Sequence, residues 1–324
     1  MQRPDKPIRL GTRGSPLALK QADMVMQAIQ SAAPDQAIEI VIIKTSGDWR
    51  PEQGETRLSA AQGGKGLFAK ELEAALFREE IDIAVHSMKD MDSNLPEGLS
   101  IPWMLPRADA RDALICANNN NALADNGQTK NNAPDLFLPE LPHGCTIGTA
   151  SVRRAAFLKS RRPDIQITPL RGNVQTRLDK IAAKQVEASF LAMAGLERLE
   201  LTHHVTRILE PDDMLPAAGQ GSVGIEILNK NHEALAFIGQ ISCSKTMLCV
   251  SAEREALRVL DGSCHTPIGA YATLQSDQMH LRVQLCTPES FETYSFEETR
   301  KITDIKGAVQ FGADAANHIK SLQS

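Results

Sequence analysis

Short apolar runs alternate with amphipathic helical periods over the first two-thirds of the chain, and this alternation limits the fold more than any other feature. Ile38–Lys44 (IEIVIIK) is rich in Ile and Val, as a strand buried on both faces requires, and Ile81–Val85 and Thr146–Gly148 are shorter runs of the same kind. Between them, Ala18, Ala22, Val25 and Ile29 recur at helical spacing after Ser15-Pro16, a good N-cap followed by a residue suited to the first turn. Phe68, Leu72 and Ala75 repeat the spacing, as do Val174, Leu178 and Ile181. The pattern predicts an α/β fold with mostly parallel sheets covered by helices. The last third differs. A helix at Ser251–Leu260 precedes three strand-like segments, Ile268–Leu274, Met279–Thr287 and Phe291–Thr299, and a helix over Ile305–Leu322 follows, predicting a small antiparallel α+β unit.

A chain of 324 residues is long for one core and suits two or three domains. Its net charge of −5 argues against a nucleic-acid partner, which calls for a basic excess, so clustered arginines must serve something local. No run approaches the roughly 20 apolar residues of a membrane span. The polar Met1–Pro7 stretch has no exporting character, and the six cysteines are scattered without CxxC pairs. The expectation is free thiols in a reducing cytoplasm. Ser46–Gly66, with five glycines, reads as an active-site lid, and Asn118–Pro142 as a disordered surface insertion.

Three strand-to-helix corners carry arginine: Thr12-Arg13-Gly14-Ser15, Thr149-Ala150-Ser151-Val152-Arg153-Arg154, and Leu170-Arg171-Gly172-Asn173 with Arg177 one turn on. Helix N-termini offer free N–H groups, arginine offers a fork matched to carboxylate, and ligands of open α/β sheets bind outside the strand carboxyl ends. One such arginine could simply be solvated; three corners together predict a ligand bearing several carboxylates or phosphates. Ala84–Asp90 (AVHSMKD) ends a buried strand in a polar cluster, where Asp90 suits a general acid or the stabiliser of a cation and Lys89 a carboxylate partner. Gly63-Gly64-Lys65-Gly66 lacks the spacing of a nucleotide-binding phosphate loop. Cys264, in Gly262–Gly269 (GSCHTPIG), is either a small buried hydrophobe or a thiolate activated by nearby arginines.

Six segments, TRGSPLAL, GGKGLFAKELE, AVHSMKD, LRGNVQTRL, LPAAGQGSVGIE and GSCHTPIGAYA, occur in that order, and together they resemble the porphobilinogen deaminase (hydroxymethylbilane synthase) family. The resemblance implies a transferase of tetrapyrrole (haem) biosynthesis. Such an enzyme joins four porphobilinogen molecules head to tail, releases ammonia at each step and builds the polypyrrole on a dipyrromethane cofactor held by a thioether, here to Cys264. It implies two domains like those of periplasmic binding proteins (1–105 with 222–239, and 106–221), a C-terminal α+β domain (240–324), and a monomer. Asp90 matches the catalytic aspartate. Cofactor contacts fall to Ser87, Lys89, Thr149, Ser151, Arg153, Arg154, Arg171 and Gly172. Substrate contacts fall to Arg13, Ser15, Lys65, Asn173, Arg177, Arg198 and Gln220. No metal is implied. The chain departs from the pattern at Ala61, where the family often has Lys and where Arg57 could substitute; at Met91-Asp92, where Val-Pro is common; and in the 118–142 insertion.

Overall fold

The architecture follows from three sheets that the chain visits partly out of order. It is described from a computed structural model, whose described residues are 6–45, 69–117, 137–260 and 266–323. The first sheet is built from β1 (Ile8–Arg13), α1 (Pro16–Ala32), β2 (Ile38–Ile43), α2 (Lys70–Phe77), β3 (Ile83–Ser87) and β4 (Leu99–Met104). The second comprises β5 (Asp112–Cys116), β6 (Thr146–Gly148), α3 (Val152–Arg161), β7 (Gln166–Thr168), α4 (Val174–Ala182), β8 (Ala188–Ala192), α5 (Met193–Arg198) and β9 (Arg207–Leu209). The chain then returns to the first sheet through β10 (Val223–Leu228). It ends in α6 (Ser244–Val259), β11 (Ile268–Gln275), β12 (Gln278–Cys286), β13 (Thr293–Lys301) and α7 (Ile305–Gln323).

The first sheet has strand order β2-β1-β3-β10-β4 and the second β7-β6-β8-β5-β9. Neither is mostly parallel, which corrects the sequence expectation. β1 pairs in parallel with β2 and β3, but β10 lies antiparallel to both β3 and β4. Likewise β6 pairs in parallel with β7 and β8, while β5 is antiparallel to β8 and β9. The reason is the route of the chain. A parallel return needs a crossover helix, whereas a strand arriving from the other sheet in extended chain can enter in either direction. The two crossing segments run side by side: Leu105 N–H donates to the Val223 carbonyl (3.1 Å) and Ala108 N–H to that of Gly221 (3.2 Å). Gly221 is needed there, because its φ is +86° and a Cβ would sit 2.6 Å from the Ala108 oxygen.

Glu253 of α6, fully buried, ties both crossings to the third sheet. It accepts the Arg107 guanidinium (2.5 and 3.1 Å), the Gly219 N–H (2.7 Å) and the Ala272 N–H of β11 (2.7 Å). The antiparallel β11-β12-β13 sheet matches the sequence reading to within two residues at each end, while α6 begins at Ser244 rather than Ser251. The early part of α6 escapes a periodicity reading because Thr246 and Glu253 sit on its buried face among the apolar positions. Helices α6 and α7 cross closely, since a Cβ on Gly312 would meet the Ala252 carbonyl oxygen at 2.1 Å. Gly312→Ala is therefore expected to lower unfolding stability by roughly 1–3 kcal/mol through overpacking; an unchanged urea midpoint would contradict this crossing.

Candidate active site

Each Arg-bearing corner is fixed by a side-chain cap on the helix that follows. Ser15 Oγ accepts the Ala18 N–H (3.3 Å) at α1, Ser151 Oγ the Arg154 N–H (3.4 Å) at α3, and Asn173 Oδ1 the Thr176 N–H (2.9 Å) at α4. The N-termini of α1 and α4, with positive dipole ends, thereby gather at the carboxyl ends of the two main sheets, and α3 adds Arg154. Between them lies a cleft of about 1060 Å³. Its lining includes Arg13, Ser15, Ser87, Lys89, Asp90, Arg154, Arg171, Gly172, Asn173, Arg177 and Arg198, with Gly219 and Gly221 of the second crossing. Among the described residues, six cationic side chains line the cleft against one carboxylate, Asp90.

Not every residue expected on the ligand faces the cleft. Arg153 and Arg154 are adjacent on α3 and point differently. Arg153 turns inward, donating to the Leu215 carbonyl and to Asp112 Oδ2 (both 2.6 Å). Arg154 lines the cleft while donating to the Phe190 carbonyl (2.7 Å) and Asp112 Oδ1 (2.6 Å). Gln220 is buried, with its amide on the Ala110 carbonyl (2.6 Å) and on Asp112 Oδ1 (2.9 Å). Thr149 Oγ1 accepts the Ser151 N–H (3.1 Å), and neither residue is in the lining. Lys65 and Cys264 lie outside the described residues, as do segment 46–66, expected as a lid, Ala61, Arg57 and residues 118–136 of the insertion. The described neighbours of Cys264 pack close by. Leu260 and Ile268 share a core with Ala218, the residue before Gly219 of the lining, and Ala270 N–H donates to the Pro216 carbonyl (3.0 Å).

Two organising residues escape a sequence reading. Asp112 opens β5, is fully buried, and bridges Arg153 and Arg154; only the antiparallel placement of β5 beside β8 brings it there. Burial alone would raise its carboxyl, but the two guanidinia hold it far below the ordinary carboxylate range. Gln21 of α1 exchanges two hydrogen bonds with Ser87 (2.7 and 3.1 Å), fixing the end of β3. Lys89 is pushed down to about 8 by burial, drawn up by Asp90 and pressed down further by Arg154 and Arg177. At Gly172 φ is +113° and a Cβ would meet Thr176 at 2.7 Å, so only glycine lets the chain turn onto α4. Arg177 then donates to the Gly172 carbonyl (2.9 Å). Arg198 holds the Gly221 carbonyl (2.7 Å), and the Nε atoms of Arg154 and Arg198 are buried donors with no acceptor among the described residues.

Residues 8–236 match the family profile described as porphobilinogen deaminase, dipyromethane cofactor binding domain, and residues 247–321 that of the C-terminal domain. The chain belongs to the porphobilinogen deaminase family. It is 43% identical to the porphobilinogen deaminase of Paracoccus denitrificans over 99% of this chain and 96% of that one. It is 41% identical to the chloroplastic porphobilinogen deaminase of Oryza sativa subsp. japonica, over 97% and 83% respectively. A structural likeness at 13% identity and a TM-score of 0.38 links it to a periplasmic sulfonate-binding protein of Methylobacillus flagellatus, over 79% of this chain and 68% of that one.

Proposed function

We propose that this protein condenses four porphobilinogen molecules head to tail, with loss of ammonia at each step, to give hydroxymethylbilane for tetrapyrrole (haem) biosynthesis. The growing polypyrrole is primed by dipyrromethane in thioether linkage to Cys264. The observation that carries this reading is the charge of the cleft. Six cations and the capped N-termini of α1 and α4 face a single carboxylate, and each porphobilinogen ring brings an acetate and a propionate.

In this reading Lys89, Arg154 and Arg171, with the Gly172 backbone and Ser87, hold the cofactor carboxylates. Arg13, Arg177 and Arg198, with Ser15 and Asn173, receive those of the incoming ring, and Lys65 adds a further cation for them. Arg153, Thr149, Ser151 and Gln220 act from behind, keeping Asp112 and the α3 corner in place. Dipyrromethane, when bound, supplies a free pyrrole α-carbon as the nucleophile. The protein supplies Asp90: its carboxylate beside the pyrrole N–H offsets the positive charge that develops as the amine leaves. The first sheet (1–105 with 222–239) and the second (106–221) act as two anion-binding domains, and 240–324 as the cofactor-bearing one. The protein works as a cytoplasmic monomer; among the described residues no helix is long and apolar enough to cross a membrane.

Asp90→Ala is expected to lower turnover of porphobilinogen by about 100- to 1000-fold in a protein that still folds; activity within a few-fold of wild type would sink the assignment. Lys89 gives a pH signature. Its folded pKa is lowered to about 8, so it is cationic below that pH and neutral above it, and the loss of its charge beside the cofactor leaves a less positive cleft for the anionic substrate to enter. KM is therefore expected to climb by up to about tenfold between pH 7 and 9 in wild type and to stay flat in Lys89→Gln. Equal slopes in both proteins would remove Lys89 from substrate or cofactor binding.

A further inference from the structure

The Asp90 carboxylate accepts no hydrogen bond among the described residues, so its place at the cleft is set by its backbone. That backbone is held on both sides. Before Asp90, the Met88 N–H donates to the Ser222 carbonyl (3.0 Å), and the Met88 side chain is buried. After it, Arg254 reaches across from α6. Its Nη2 donates to the Asp92 carbonyl (2.5 Å) with that of Ser93 at 3.5 Å, and its Nη1 faces the Met91 carbonyl at 3.4 Å. Neither Met91 nor Asp92 is proline, so no ring fixes φ in this turn; the Met91 N–H donates to the Met88 carbonyl (3.3 Å) and the Met91 side chain is buried, and the grip of Arg254 holds the carbonyls that follow. A guanidinium spread over three successive carbonyls is a rigid planar clamp that a flexible ammonium cannot reproduce. The helix that carries it runs into the segment bearing Cys264.

We propose that Arg254 is a positioning residue, clamping the carbonyls after Asp90 and thereby fixing the Asp90 carboxylate relative to the reacting ring. This rests on the reading of Asp90 as the catalytic carboxylate. The anion-binding arginines belong to other elements and are left in place when Arg254 changes.

The test compares Arg254→Gln and Arg254→Lys in the cofactor-loaded enzyme, and repeats Arg254→Gln in an Asp90→Asn background, with porphobilinogen as substrate. Arg254→Gln is expected to lower kcat by on the order of 100-fold, as displacement of a reacting group by about 1 Å does. KM should stay within about twofold of wild type, since binding is left in place. Arg254→Lys should fall between the two, and it carries the same comparison if the Gln variant does not fold. In the Asp90→Asn background the Arg254 change should alter residual turnover by no more than about twofold, because a clamp has nothing left to position. A loss of kcat equal in both backgrounds would assign Arg254 a merely structural role and overturn the proposal, as would a rise in KM with kcat unchanged. Wild-type turnover by Asp90→Asn alone would overturn both this proposal and the reading of Asp90 beneath it.

Discussion

Like charges have to be gathered before their ligand is present, and the carboxylate of Asp112 is what makes that possible on α3. Two cations about 4 Å apart at an effective dielectric near 20 repel by about 4 kcal/mol. Arg153 and Arg154 escape this by sharing one buried anion, with both Asp112 oxygens engaged at 2.6 Å. The arrangement leaves one net positive charge on the pair and aims it through Arg154, the member that lines the cleft. Gln220 adds a third donor to Asp112 from the second crossing, so the α3 corner is tied to the segment that connects the two sheets. Removing that carboxylate would leave two guanidinia buried and unneutralised, a far larger cost than losing a solvated ion pair.

Glu253 repeats the device at the junction of the three sheets. One fully buried carboxylate gathers Arg107 from the first crossing, Gly219 from the second and Ala272 from β11. The segment before Cys264 and the strand after it are thus anchored to the same residues that frame the cleft. With Arg254 one position further along α6, a single helix touches the crossing segments through one side chain and the turn after Asp90 through the next. Function and fold meet on this helix: its apolar face packs against α7 and β11, while two charged residues reach into the polar junction.

Much of this was legible in the sequence wherever the physics is local. A capping hydroxyl or amide lies three residues from the N–H it accepts, so the corners at Ser15, Ser151 and Asn173 could be read from spacing, and the arginines beside them followed. What depends on distant partners could not. Asp112 is 41 and 42 residues from its arginines, and His86 is 140 residues from Glu226, the buried carboxylate it meets at 2.8 Å. Adjacent residues on a helix point about 100° apart, so nothing in the Arg153-Arg154 pair said which would face the ligand. Strand direction was equally hidden. Val223–Leu228 is buried along its whole length, and such a run looks the same whether its neighbours are parallel or antiparallel.

The central claim is that this cationic cleft exists to hold a polypyrrole tethered to Cys264, and the most direct test is the intact mass of the purified, denatured protein. Wild type is expected to exceed its polypeptide mass by two linked pyrrole units, and Cys264→Ser to weigh no more than its sequence. If both proteins show only polypeptide mass, and incubation of wild type with porphobilinogen adds nothing covalent, the tether and the primed condensation built on it are contradicted.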